Sequence, residues 1–410
     1  LTAASADTGT LRDLLTPECV RSRCAEIFSH GMDGALPWFR IDLDNMEDAT
    51  ERVVAEIRAN YPALDVPFHS RWRHFEFDGA DLWAQIAGRQ GLTGPALAAA
   101  AGDIAIVSVL LDAGAGPDWT YNDEPTGLRL GRSEGLALAS LRLFEAGLLS
   151  AEAADPLRAD AVALKALTAA QLADALQVGP DNPVVGIEQR AGLLQRLGQA
   201  IDARRDIFGR GGTIRPGHLI AGLAEKSDLQ GRDILIALLD NLMDIWPSPI
   251  RIDGTKLGDV GRHRALTRAD ATDNIVPFHK LSQWLAYSLI EPLEKAGARV
   301  TALDGLTGLA EYRNGGLFID TGIIALKDPD MADIAHDPAS EMIVEWRALT
   351  VALLDRVAED VRKTLGLTAE QLPLASVLQG GTWSAGRRIA GEKRPGGGPP
   401  LIILSDATVF

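Results

Sequence analysis

The sequence predicts a mainly α protein with minor β, and three observations carry that expectation. Apolar residues recur at helical spacing along most of the chain, helix-ending Gly and Pro follow those runs, and no long series of alternating strands appears. With 410 residues, 46% hydrophobic and 23% charged, the chain is long enough for a large core. It is expected to form a single helical globular domain over 1–410. Two lobes at about 1–215 and 216–370, with a C-terminal extension at 371–410, are the alternative division. The first helix signal lies over 46–59, where Met46, Val53, Val54 and Ile57 share a face and Tyr61-Pro62 ends the run. The next spans 133–146, with Ser133 as N-cap and Gly147 as terminator.

Between these two helices, 114–127 reads as a loop in which Trp119 and Tyr121 stand among turn formers. Residues 151–205 are rich in Ala and Leu and predict packed helices, and Gly209–Gly217 breaks them. Helix resumes over 232–245 and stops before Trp246-Pro247-Ser248-Pro249. A further helix is expected from Pro277, with Leu281, Trp284, Leu285, Leu289 and Leu293 as its stripe. The last strong helix is expected to open with Asp337 as N-cap and Pro338 in its first position, and to end at Gly366. Gly380–Gly398 is rich in Gly and Arg, and within it Gly380–Arg387 reads as a lid loop or a surface turn. Leu401–Leu404 reads as a short strand.

Composition narrows the function classes. A formal charge of −16 argues against nucleic acid and against an anionic membrane surface, while one local pocket for a small anion remains compatible with it. Cys19 and Cys24 are too few to staple the chain and lack zinc spacing. The seven histidines (30, 69, 74, 218, 263, 279 and 336) contain no His-x-His or His-x-x-x-His, so no metal and no cofactor are expected. No P-loop, nucleophile elbow or dinucleotide fingerprint is present. No apolar run reaches the ~18 residues of a membrane span, and no charged-then-apolar leader is seen, so a cytoplasmic location is the expectation.

Four segments carry candidate chemistry. Pro67–Phe77 packs His69, Arg71, Trp72, Arg73 and His74 together. Guanidinium forks suit phosphate or carboxylate, and an edge strand with paired arginines is the plainer reading. In Asp273–Gln283, His279 and Lys280 fall in the first turn of a helix, where cations oppose the dipole unless an anion binds; a solvated lysine is the alternative. In Leu306–Ile324, Glu311 and Arg313 lie between apolar blocks. They read either as a carboxylate site or, more simply, as a hairpin turning at Asn314-Gly315. Glu345 lies one turn before Leu349, near the apolar stripe, and should need a partner there, expected to be an arginine of the site.

At these motifs the chain resembles a known family. His69-Ser70-Arg71-Trp72-Arg73-His74-Phe75, Phe278-His279-Lys280-Leu281-Ser282-Gln283-Trp284, Leu306–Gly316 and Gly381–Arg387 look like the fourth protein of the URC uracil-catabolism pathway, over essentially the whole length. That pathway forms a ribosylurea-type intermediate whose ribose–urea bond some enzyme must break. A weaker resemblance, to the queuosine-nucleotide N-glycosylases with their DNA-glycosylase-like helical folds, rests on Lys280, Gln283, Glu311-Tyr312-Arg313 and Glu345-Trp346-Arg347. Those enzymes carry Asp-Tyr-Arg where this chain has Glu311-Tyr312-Arg313. The resemblance implies an N-glycosidase acting on a small phosphorylated ribose substrate. It implies Glu311, Tyr312, Arg313 and Glu345 in catalysis, with Glu311 at the anomeric carbon. It places Lys280, Arg71 and Arg73 on the phosphate, and His69, Trp72, His74, His279, Gln283 and Arg347 around the substrate. Asp118, Trp119 and Tyr121 are further candidates for shaping the sugar or urea pocket. The alternatives are an amidohydrolase or deaminase using His69, His74 and His279, and a non-catalytic binding protein.

Overall fold

The computed structural model describes residues 8–112, 114–116, 118–226, 228–246 and 250–404. The protein is mainly α: long helices dominate and the strands form only two-stranded pairs among the described residues. No helix among them is long and apolar enough to cross a membrane. Chain packing groups the described residues into two compact units, interleaved in sequence rather than cut once. One takes those of Leu1–His69, Ser248–Gln283 and Ala302–Leu404; the other takes those of Ser70–Pro247 and Trp284–Thr301.

In the first unit the helices Pro17–Met32 and Glu341–Leu365 pack along each other, with Met46–Asn60 beside them. Ala49, Val53 and Ile57 of the last are fully buried, as its 3.6-residue spacing predicts. The helix expected at Asp337 begins later, at Glu341. Asp337 turns its carboxylate onto the Ala339 N–H (2.7 Å), a local Asx turn that completes itself before the helix starts. The Gly-rich C-terminal stretch is neither lid nor surface turn. Leu378–Thr382 is a π-helical turn leading into the helix Trp383–Lys393. Gly380, Gly381 and Gly386 are buried where a Cβ would strike Val66, Val53 and the Arg313 carbonyl. Those glycines serve close helix packing rather than a flexible loop. Ile402–Ile403 pairs in parallel with Ala335–His336.

The second unit is built around Gly94–Leu110, a helix buried from Ala98 to Leu110, against which Arg132–Glu145, Ile187–Ala203 and His218–Ala224 pack. The stretch expected as a loop is partly a hairpin, Thr120–Asp123 paired with Leu128–Gly131; Pro117 lies outside the described residues. Arg132–Glu145 has Gly131, not Ser133, at its N-cap, because the Ser133 hydroxyl donates to Asp112 (3.2 Å). Gly231–Leu242 continues as a 3₁₀ turn, Met243–Ile245; Pro247, Ser248 and Pro249 lie outside the described residues. Pro292, inside Lys280–Lys295, has no N–H to give, and the Ser288 carbonyl one turn back instead accepts the Trp72 indole N–H (2.8 Å).

Candidate functional site

The residues of the candidate site divide between the two units. In the first, Tyr312–Asp320 is a helix and not the hairpin that Asn314-Gly315 suggested. Glu311 is its N-cap: one carboxylate oxygen accepts the Arg313 N–H (2.7 Å) and the other the Asn314 N–H (2.6 Å). Gly315 and Gly316 allow close packing rather than a turn. A Cβ on Gly315 would stand 2.8 Å from the Trp346 ring, whose N–H donates to the Gly315 carbonyl.

Glu311 is half-buried. Burial pushes its carboxyl above the usual glutamate range. The two backbone N–H groups, and the positive fields of Lys280 and Arg313, pull the other way. Each oxygen retains a lone pair beyond its cap bond. Tyr312 next to it is solvent-accessible. Arg313 lies 5.0 Å over the Tyr312 ring and donates to the Gly397 carbonyl (2.6 Å). Arg394 makes a bidentate pair with Asp320 (2.6 and 2.5 Å) and donates to Gly398. The guanidinium groups of Arg313 and Arg394 thus hold the segment Pro395–Gly397 to this helix.

Lys280 opens the helix Lys280–Lys295. Pro277 ends the strand Ile275–Pro277 instead of starting that helix, and His279 intervenes in the left-handed region (φ 48°). Asp259, which the sequence reading missed, organises this junction. Its carboxylate takes both Arg347 Nη atoms (2.9 and 2.7 Å) and the Lys280 N–H (2.9 Å), and its carbonyl takes the N–H groups of Phe278 and His279. Although it is buried, the Arg347 guanidinium and these bonds hold its carboxyl below the usual aspartate range. Arg347 also stacks on Phe278 at 4.0 Å, so it positions the Lys280 turn. The only sequence signal for Asp259 is an acid set between Gly258 and Val260 in an apolar stretch.

Other expected residues have structural partners. Gln283 is fully buried and clamps Thr307, donating to its hydroxyl (2.8 Å) and accepting its N–H (3.3 Å). His279 is buried, with Nε2 on the Leu14 carbonyl (2.9 Å) and Nδ1 without a partner among the described residues; burial lowers its basicity. His69 is buried against Gln379 (2.9 Å). Glu345 is indeed buried, but its partner is not an arginine. It accepts the N–H groups of Trp38 (3.2 Å) and Phe39 (2.7 Å) and pairs with His263 Nε2 (2.8 Å). Trp38 and Phe39, at the start of the strand Phe39–Ile41, bring two backbone donors to the helix face that carries Glu345, and these with His263 stand in place of the arginine.

In the second unit, Arg71–Phe75 is a 3₁₀ turn rather than an edge strand. Arg71 is wholly buried and donates to Asp112 (2.7 Å), the Ser108 hydroxyl (2.6 Å) and the Ser108 carbonyl (3.1 Å). It also meets His74 Nδ1 (3.2 Å) and lies 5.3 Å over Trp284. Arg73 pairs with Glu291 (2.7 Å) and Glu76 (3.0 Å). Both arginines of the expected phosphate cluster are therefore engaged by carboxylates of their own unit. Trp119 has a core claim after all: it is fully buried and donates to the Leu176 carbonyl (2.9 Å). Tyr121 is buried as well, while Asp118 is exposed. Among the described residues no group of three or more His, Cys, Asp or Glu is arranged to hold a metal ion.

The first unit thus defines a helical protein with a carboxylate held at a helix N-terminus in the field of a lysine. The family described as "Protein of unknown function (DUF1688)" matches residues 13–410, and the chain belongs to that family. It is 36% identical over 416 residues to "Protein urg3" of Schizosaccharomyces pombe, covering 98% of this chain and all of the relative. It is also 36% identical over 430 residues to "Uracil catabolism protein 4" of Lachancea kluyveri, covering 95% of this chain and 97% of that protein.

Proposed function

We propose that this protein acts in uracil catabolism as a hydrolase. In this reading it adds water across the N-glycosidic bond of a ribosylurea-type nucleotide to give urea and ribose 5-phosphate. The pathway rests on the name of the Lachancea relative. The reaction rests on the resemblance of Lys280, Gln283 and Glu311-Tyr312-Arg313 to the N-glycosylases, and the likeness to glycosylase-type folds belongs to the same proposal. One observation carries it: Glu311 is a half-buried carboxylate, oriented by two backbone N–H groups and sensing the charge of Lys280.

Cleavage of such a bond passes through a cation centred on the ribose anomeric carbon. A fixed, partly desolvated carboxylate lowers that barrier more than a solvated one does. Glu311 takes the anomeric carbon and Lys280 the 5′-phosphate. Arg71 and Arg73 leave the phosphate role because each is already paired with a carboxylate of the second unit, Asp112 and Glu291. Arg347 and Asp259 hold the turn from which Lys280 projects. The test is release of urea and ribose 5-phosphate from phosphoribosylurea, followed for wild type and Lys280→Ala. The variant should raise KM for the phosphorylated substrate and leave unphosphorylated ribosylurea unaffected. No urea release by the wild-type protein would overturn the reaction. Equal KM values would remove Lys280 from the phosphate.

A further inference from the structure

A concavity lies in the second unit, lined by none of the residues assigned above to the sugar and phosphate. It measures about 290 Å³ and is walled by Trp72, Trp83, Ala87, Ala98, Ala101 and Pro292, with Lys295 the one charged residue in its lining. That volume is at the low end for small-molecule sites. The walls are apolar for identifiable reasons. The Trp72 indole N–H is already bonded to the Ser288 carbonyl freed by Pro292, so the ring contributes only its apolar surface. Trp72 and Trp83 stand 6.1 Å apart at 52°, a tilted pair whose placement is fixed further by Phe75 and Phe144. Alanines line the helices Leu82–Arg89 and Gly94–Leu110 here, and side chains of ordinary size would fill the space.

Lys295 is the polar feature. Lys295 is exposed, its ammonium lies 5.8 Å from the Trp72 ring centroid, and it enters no ion pair among the described residues. The acids nearest it by field and sequence do not take that place. Glu76 and Glu291 are both held by Arg73, and Glu294 does not line the cavity. On a chain of net charge −16, an unpaired cation at the mouth of an apolar cavity is complementary to one kind of ligand. We propose that this cavity binds a small amphipathic carboxylic acid, its apolar body against the two indoles and its carboxylate on Lys295. The segment His69–Phe75, the most basic and aromatic run in the sequence, then contributes through Trp72 to this cavity.

The test uses the full chain and two probes of equal body, octanoate and 1-octanol, titrated by calorimetry. Octanoate should bind saturably, one per chain, more tightly than octanol. Lys295→Met keeps the apolar stem and removes the charge. It should weaken octanoate by about two- to fivefold, the worth of one solvent-exposed charge pair, and leave octanol unchanged. Ala98→Leu fills the cavity and should abolish both. Ala84→Leu, on an exposed rim position, should narrow the mouth and weaken both without a folding cost, which keeps the result interpretable if Ala98→Leu unfolds. Absence of saturable octanoate binding overturns the proposal, as does octanoate affinity unaltered by Lys295→Met or by both cavity variants.

Discussion

Replacing Glu311 by Gln separates two things that this carboxylate does. As an N-cap it accepts two backbone N–H groups at 2.7 and 2.6 Å. Gln offers one oxygen, so one of those donors faces an NH₂ group. Loss of a cap costs about 0.5–2 kcal/mol of stability, and the loss here should fall in that range. The catalytic role proposed for it is lost separately. Removing one preorganised group that meets transition-state charge costs about 10²–10³ in kcat, or roughly 2.7–4 kcal/mol of barrier. Stability is read from chemical denaturation and the barrier from urea release, so the two losses do not blur.

The pH dependence adds a second reading of the same variant. Burial raises the Glu311 carboxyl above the ordinary glutamate value of 4.5, so the folded state holds that proton more tightly than the unfolded state does. Stability from this group is therefore present at low pH and declines as pH rises from 4.5 through the raised value. Glu311→Gln should thus cost more stability at pH 4.5 than at pH 7. Activity runs the other way, since only the ionised form stabilises a cation. The acidic limb of kcat/KM should lie above the ordinary glutamate range and vanish in the variant. Full urea release by Glu311→Gln would refute the reasoning, and Asp320 or Glu345 would be the next carboxylate to test.

Glu345→Gln should destabilise the protein by about 3–5 kcal/mol, because it breaks a fully buried pair with His263 and weakens two backbone bonds. Its specific activity per folded molecule, measured below the unfolding transition, should stay near wild type. Arg71→Lys should also cost stability by denaturant titration, on the same scale, since a lysine cannot reproduce the fork that meets Asp112 and both Ser108 acceptors. Its KM for the phosphorylated substrate should be unchanged. Arg264 holds the Glu341 carboxyl down at about 2. Stability from Glu341 is present above its unfolded value of 4.5 and is lost as pH falls from there through about 2. Arg264→Ala should therefore flatten the acid limb of a denaturation–pH profile in that window, and an unchanged limb would refute the pairing.

How much of this was legible in the sequence depends on whether the signal was local. The helix over Met46–Asn60 is visible because its spacing and terminator lie within fifteen residues. The Tyr312 helix was obscured because Asn314-Gly315-Gly316 carries a turn signal, whereas the reason for its glycines, the Trp346 ring, sits some thirty residues away. Gly380, Gly381 and Gly386 misled for the same reason: their constraint is the neighbouring backbone and side chains, and local pattern cannot show it. The basic-aromatic motif at His69–Phe77 identified an unusual environment, but the partners that set its role, Ser108, Asp112 and Glu291, are remote in sequence. The spacing of Glu345 places it near the apolar stripe and leaves a helix-edge position open, and its partner is visible only once the chain at Trp38 and Phe39 is folded against that helix.

Asp259 shows why candidate residues on separate elements can still act as one assembly within the first unit. A carboxylate with three donors around it has few orientations left. Through Arg347 it is tied to the long helix Glu341–Leu365. Through the Lys280 N–H it is tied to the start of the next helix, and through its carbonyl to His279, whose positive φ makes the bend between strand and helix. A positive φ in a non-glycine residue costs energy unless its surroundings hold it there. The two backbone bonds from Phe278 and His279 to Asp259 supply that hold. The direction in which Lys280 leaves the backbone is thus set by a buried ion pair and not by the lysine's own flexible stem. In that arrangement the field of Lys280 at Glu311 is a property of the fold, which is what a preorganised site requires.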